Sequence, residues 1–227
     1  MVMNPTIIFD MDGVIVRSEQ LWNDQEPAYF ARILEPSIAQ QLIGNTRGLA
    51  ESLIYEKAKE LGHTGTKEDF FSGYDVLAQT IYREAPITIG IDSLIATLAM
   101  FGVRLGLVSS SPKNWINIVL DRLKHGTAFE FVESVNDHPE LAPKPAPDGY
   151  VAAMKALGST NTETLIIEDS QTGINAAIAS GAHVCGFALH MDGELPHGAD
   201  IFSHTMEELE RHCQKFIAHC RMGAAFP

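Results

Sequence analysis

Asp10 and Asp12 lie two apart in Phe9-Asp10-Met11-Asp12-Gly13, directly after the β-branched and aromatic run Thr6-Ile7-Ile8-Phe9. Side chains alternate along a strand, but a turn leaving its end lets both carboxylates reach one small volume. Carboxylates that close repel unless a proton or a cation separates them. A second acidic pair, Glu168-Asp169, follows another apolar run, Thr164-Leu165-Ile166-Ile167. Up to four carboxylates with few bases call for a hard divalent ion, and an all-oxygen donor set favours Mg²⁺ over zinc. Such a site suits phosphate oxygens. Two further positions supply the complement: Ser109, at the end of Val103-Arg104-Leu105-Gly106-Leu107-Val108, offers a hydroxyl donor, and Lys144 offers a point cation where charge grows in a transition state. Lys144 sits in Ala142-Pro143-Lys144-Pro145-Ala146-Pro147, whose fixed proline φ angles aim its side chain. A carboxylate nucleophile forming an aspartyl-phosphate divides phosphoryl transfer into two easier steps.

These positions need a scaffold that brings distant segments together. Apolar runs bounded by turn residues predict strands near residues 6–10, 103–108, 131–133, 164–167 and 183–187. Helical periodicity and stop signals predict helices near 91–101, 113–123, 148–157, 174–179 and 206–220. Between Ser18 and Glu84 the apolar spacing is helical throughout, interrupted by Gly62-His63-Thr64-Gly65. The expected fold is therefore α/β: a Rossmann-like parallel-sheet layer sandwich, residues 1–16 with 87–227, carrying an inserted all-helical domain, residues 17–86. In such sheets ligands bind beyond the carboxyl ends of the strands. Four of those ends carry Asp10/Asp12, Ser109, the Lys144 loop and Glu168/Asp169.

The four motifs, in this order and each at a predicted strand end, strongly resemble those of the haloacid dehalogenase superfamily in its phosphatase and phosphomutase branch. They are Phe9-Asp10-Met11-Asp12-Gly13, the Ser109 strand end, Lys144 in a Lys-Pro-x-Pro-Asp setting, and Glu168-Asp169-Ser170-x-x-Gly173. The helical insert resembles the cap of the subgroup that carries it between the first two motifs. The resemblance implies Asp10 as nucleophile and Asp12 as general acid and then base. It implies Mg²⁺ on the Asp10 carboxylate, the Asp12 carbonyl and Asp169, with Glu168 beside or just behind. Ser109 and Lys144 would grip the phosphoryl group, with a backbone N–H of Ser110 close by and Lys144 paired with Asp10. The cap would close over substrate and select the leaving group. Within it, Gly44-Asn45-Thr46-Arg47-Gly48 resembles a segment in which an Arg contacts substrate, making Arg47 an anchor, and Trp22 is expected as a pocket wall. Ser109-Ser110-Ser111-Pro112 is more similar to hexose- and hexitol-phosphate phosphatases than to β-phosphoglucomutase, in which a Lys follows the serines directly. Arg17 departs from the family's Asp at the hinge and is expected to reach substrate or to pair with Glu19 or Glu26.

The implied activity is a Mg²⁺-dependent phosphatase for a small phosphorylated metabolite, a sugar or sugar-alcohol phosphate. The rival readings are a β-phosphoglucomutase-like mutase and a non-catalytic metabolite-binding regulator. Bland roles compete at single positions: turn or helix capping for the Asp, Ser109 and Glu168/Asp169 positions, a solvated loop for Lys144, a surface ion pair for Arg47 and core packing for Trp22.

Composition narrows the classes. The 227 residues are 45% hydrophobic and 20% charged, and 16 basic against 29 acidic residues leave a net charge of −13. That field repels nucleic-acid backbones and anionic bilayers, so neither is an expected partner. No stretch approaches the ~18 apolar residues of a membrane span, and acidic Asp10 and Asp12 come where a signal peptide is still apolar. Cys185, Cys213 and Cys220 are expected as free thiols, which fits the reducing cytoplasm. The protein is expected to be a monomer or weak homodimer. The pairs His212-Cys213 and His219-Cys220, seven residues apart, invite a zinc reading. Seven residues of helix span ~10 Å, too far for one ion with ~2 Å bonds.

Overall fold

The computed structural model describes residues 5–46, 49, 51–189, 195–222 and 226. The chain gathers into two compact units, Met1–Arg17 with Ile87–Pro227, and Ser18–Pro86.

The first unit holds six parallel strands: β1 (Thr6–Phe9), β2 (Arg104–Ser109), β3 (Phe131–Ser134), β4 (Thr164–Glu168), β5 (His183–Phe187) and β6 (Ile201–Ser203), in the spatial order β3-β2-β1-β4-β5-β6. Around them run α5 (Ile91–Met100), α6 (Lys113–Leu120), α7 (Asp148–Leu157), α8 (Gln171–Ala179) and α9 (Met206–Met222). β1 and β4 are buried along their whole length, as a parallel sheet covered on both faces requires, and their near-continuous apolar runs follow from that. One face of the sheet, with Ile8, Val108, Ile166 and Val184, packs against Tyr150, Ala153 and Leu157 of α7 and Ile174 and Ala177 of α8. This is the α/β Rossmann-like architecture expected.

Two elements differ from expectation. β6 was not anticipated, because three residues at a sheet edge carry too little periodicity to stand out. α8 begins at Gln171 rather than Ile174: its first turn is polar, and the Ser170 hydroxyl accepts the Gly173 N–H at 3.0 Å and caps it.

The second unit comprises α1 (Glu19–Ile33), α2 (Pro36–Leu42), α3 (Glu51–Glu60) and α4 (Lys67–Glu84), with no strand among its described residues. Its core is aromatic: the Phe30 and Phe70 rings stack on Tyr74, and the Tyr29 hydroxyl donates to the Phe70 carbonyl at 2.5 Å. Buried Glu26 sits within it, accepting from Tyr74 and Thr46 hydroxyls at 2.5 Å each. Burial raises the Glu26 carboxyl above its ordinary value, and these two hydrogen bonds oppose the shift.

Candidate active site

Strand register brings the acidic pairs together. Phe9 lies opposite Leu107 on one side and Ile167 on the other. Asp10, the Ser109 end of β2 and Glu168-Asp169 therefore leave the sheet side by side, on strands ~4.8 Å apart. Asp10 keeps the pairing for one more residue, its N–H donating to the Ile167 carbonyl at 3.0 Å. The chain then turns at Gly13, whose φ of +79° favours glycine. A second reason for glycine is the neighbour: a Cβ at residue 13 would lie 1.8 Å from Asp169 Oδ2. The last residue of Asp-x-Asp-Gly thus makes room for the second carboxylate of Glu-Asp.

Lys144 lies at the centre. Its Nζ donates to Asp10 Oδ1 and to Glu168 Oε1, both at 2.6 Å, and its side chain is only 9% exposed. Burial disfavours its ammonium, but Asp10 and Glu168 outweigh that and hold the amine protonated, well above 10.5. Burial likewise pushes the Asp10 carboxyl well above the ordinary carboxylate value; Lys144 pulls it back, while Glu168 and Asp12 push it up again. Asp10 is thus raised chiefly by burial, and Lys144 by the two carboxylates beside it.

Glu168 is fully buried. Its Oε1 accepts from Lys144 and from the Tyr150 hydroxyl at 2.7 Å, and its Oε2 accepts from Asp169 N, Ser170 N and Ser170 Oγ at 3.1 to 3.2 Å. Five donors saturate a carboxylate with about four lone-pair sites. Gly173 seats it, since a Cβ there would lie 1.8 to 2.2 Å from the carboxylate.

On the β2 side, Ser109 is buried and its Oγ accepts the Ser111 N–H at 3.0 Å, bracing the turn rather than capping α6. Asp137 caps α6 instead, accepting the Lys113 N–H at 2.8 Å. Ser110 is half-buried at the same strand end. Ser111 Oγ donates to Asp12 Oδ2 at 3.1 Å, and the Ser134 hydroxyl holds the Ser111 carbonyl at 2.9 Å. Sequence reasoning missed Ser111 and Tyr150. Ser111 stood in the serine run, with nothing to say which hydroxyl turns toward Asp12, and Tyr150 reads as an ordinary apolar position of α7.

One carboxylate oxygen each from Asp10, Glu168 and Asp169 lies within 4.8 Å of the others, the one such acidic or metal-ligating cluster among the described residues. The donors are oxygen only, and the negative charge exceeds what Lys144 can offset, so the residues fit a hard divalent cation. No His–Cys cluster of this kind occurs in α9 among the described residues. The three cysteines are buried free thiols.

The family profile of the haloacid dehalogenase-like hydrolases matches residues 7–187, a span holding every side chain of this cluster. The chain belongs to that family. It is 25% identical over 213 residues to validoxylamine A 7'-phosphate phosphatase of Streptomyces hygroscopicus subsp. limoneus, covering 91% of this chain and 96% of that protein. It is 24% identical to (DL)-glycerol-3-phosphatase 2 of Arabidopsis thaliana, covering 78% and 77%. The fold is shared with β-phosphoglucomutase of Clostridium difficile, with a TM-score of 0.71 at 22% identity, covering 95% of this chain and all of that one. Family and relatives together make this haloacid dehalogenase-like hydrolase an enzyme of the phosphatase type.

Trp22 is half-buried within the helical unit, stacked on Tyr74 at 5.2 Å and edge-on to Tyr82 at 6.1 Å. Arg47 lies outside the described residues. Arg17 is exposed and lines a shallow depression with Ile89, Leu189 and Thr205. Among the described residues no helix is long and apolar enough to cross a membrane.

Proposed function

We propose that this hydrolase is a Mg²⁺-dependent phosphatase of small phosphorylated metabolites, sugar or sugar-alcohol phosphates, working in the cytoplasm through an aspartyl-phosphate on Asp10. The observation that carries the reading is the meeting of Asp10, Lys144, Glu168 and Asp169 at the carboxyl end of the sheet, with Asp12 held by Ser111 next to it. In this reading residues 1–16 and 87–227 form the catalytic domain, and residues 17–86 the domain that selects substrate, through Arg47 and Trp22. Relatives named for validoxylamine 7'-phosphate and glycerol 3-phosphate support a polyol-like leaving group.

Asp10 and Asp169 carboxylates and the Asp12 carbonyl would hold the ion, with Glu168 behind them as added charge because its oxygens already serve five donors. When bound, Mg²⁺ supplies charge neutralisation for Asp10 and for the phosphoryl oxygens. Asp10 attacks phosphorus and the P–O bond to the alcohol breaks, while Asp12 gives its proton to the departing oxygen. Water then attacks the aspartyl-phosphate, Asp12 takes its proton, and inorganic phosphate and free Asp10 result. Ser109, the Ser110 N–H and Lys144 hold the phosphoryl oxygens as charge develops.

Lys113 bears on the mutase alternative. Its Nζ donates to the Val132 carbonyl of β3 at 2.7 Å, so the lysine that Pro112 displaces from the serine run is engaged with backbone there. The test is a phosphate-release screen over sugar, polyol, nucleotide and glycolytic phosphates, with and without Mg²⁺. Release from polyol-type esters only with Mg²⁺ is expected. Conversion of β-glucose 1-phosphate with a trace of the bisphosphate into glucose 6-phosphate without free phosphate would replace the phosphatase by the mutase. No release from any ester would leave a regulator.

A further inference from the structure

Tyr150 has no part in the steps above, yet it touches Lys144 and its partner at once. Its hydroxyl donates to Glu168 Oε1 at 2.7 Å, the same oxygen that accepts from Lys144 at 2.6 Å. Its ring faces the ammonium, with Nζ 5.0 Å from the ring centroid. Tyr150 is 1% exposed. Its place is set by backbone packing: a Cβ on Gly149 would lie 2.7 Å from Val135 and 2.9 Å from Val108, so the start of α7 rests directly on the sheet. The Ala142 N–H donates to Asp148 Oδ2 at 3.0 Å and ties the proline-rich loop carrying Lys144 to that same helix start.

Lys144 is pulled by two buried carboxylates at equal distance. The phosphoryl group is expected at Asp10 and not at Glu168, so the balance between the two decides where the cation acts. A second donor on Glu168 Oε1 shares that oxygen's negative charge and weakens its hold on the ammonium. We propose that Tyr150 is a positioning residue for phosphoryl transfer, its hydroxyl keeping the Lys144 ammonium balanced toward Asp10. The inference rests on the roles given to Asp10 and Lys144 above. Without the hydroxyl, Glu168 Oε1 keeps Lys144 as its lone strong donor and draws it away from the reacting oxygens, although the ring beneath remains.

The experiment is steady-state hydrolysis of p-nitrophenyl phosphate with Mg²⁺ by wild type, Tyr150→Phe, Tyr150→Leu and Asp10→Asn. Each is assayed well below its own melting transition so that the protein is fully folded, and inorganic phosphate serves as competitive inhibitor. Displacing one transition-state donor without removing it is expected to lower kcat about tenfold in Tyr150→Phe, with KM and phosphate inhibition moving less than about twofold. Tyr150→Leu, which also loses the ring, is expected to lose more kcat. A packing role alone predicts a lower melting temperature with kcat unchanged in Tyr150→Phe, and that result overturns the proposal, as does a rise in KM at constant kcat. Asp10→Asn separates the two levels: if it hydrolyses the ester at the wild-type rate, the underlying mechanism fails, whatever Tyr150→Phe does. An inactive Asp10→Asn beside a fully active Tyr150→Phe removes only the positioning role.

Discussion

Gly173→Ala sets two effects of opposite sign against each other. Gly173 lies in the first turn of α8, where alanine is the better helix former by about 1 kcal/mol. Helix propensity alone therefore makes the variant more stable. The new Cβ, however, would lie 1.8 Å from Glu168 Oε1, 2.0 Å from Cδ and 2.2 Å from Oε2, against an ordinary contact of about 3.4 Å or more. Glu168 is fully buried and its oxygens are held by Lys144, Tyr150, Asp169 and Ser170, so it has no loose end to swing aside. Moving it by an ångström or more separates it from Lys144, and breaking a buried pair costs about 3–5 kcal/mol. The net expectation is a loss of about 2–4 kcal/mol, or roughly 5–15 °C in melting temperature for a chain of this size. Thermal and urea denaturation read the stability, and a cycle with Glu168→Ala reads the cause: once the carboxylate is gone, Gly173→Ala becomes neutral or stabilising. A single variant as stable as wild type, or an equal loss without the carboxylate, would refute the steric account.

Other outcomes follow from the same geometry. Asp10→Asn is expected to abolish phosphate release while preserving the far-UV circular dichroism spectrum; retained Mg²⁺-dependent release rejects Asp10 as nucleophile. Chelation by EDTA removes turnover and Mg²⁺ restores it, and Mg²⁺ also raises the melting temperature because the acidic cluster exists only in the folded chain; identical melting with EDTA and Mg²⁺ speaks against an ion at Asp10 and Asp169. Glu26 has a raised carboxyl, so the folded state holds its proton more tightly than the unfolded chain, and the penalty for ionising it enters as pH rises above the ordinary 4.5. Urea denaturation from pH 4 to 7 should show the stability difference shifting toward Glu26→Gln as pH rises, and a constant difference contradicts the burial argument. Burial pushes the Cys185 thiol up to about 12 and Cys220 to about 11, so a thiol reagent at neutral pH is expected to label the native protein slowly and the urea-unfolded protein at once.

Most of the element order was legible because each carrier of information is local. The buried runs of β1, β2 and β4 and the glycine after α7 each act within a few residues. The same is true of the motifs: Asp10 and Asp12 share one turn, and Lys144 is flanked by its own prolines. Even the glycines of Asp-x-Asp-Gly and Glu-Asp-Ser-x-x-Gly are visible as residue types, though what they make room for is not. β6 escaped because an edge strand of three residues is defined by its neighbour β5 and not by its own pattern.

The amino-acid order by itself determined that carboxylates, a serine and a lysine stand at strand ends of an α/β sheet, since periodicity and turn chemistry are short-range properties. Which oxygen each donor reaches was decided only by tertiary structure. Lys144 meets Asp10 across 134 positions of chain, and Ser111 meets Asp12 across 99. These meetings depend on strand register and on where α7 seats on the sheet, which the whole core sets at once. The roles of Tyr150 and Gly173 belong to the same class: each depends on a single buried carboxylate whose surroundings no local window of sequence contains.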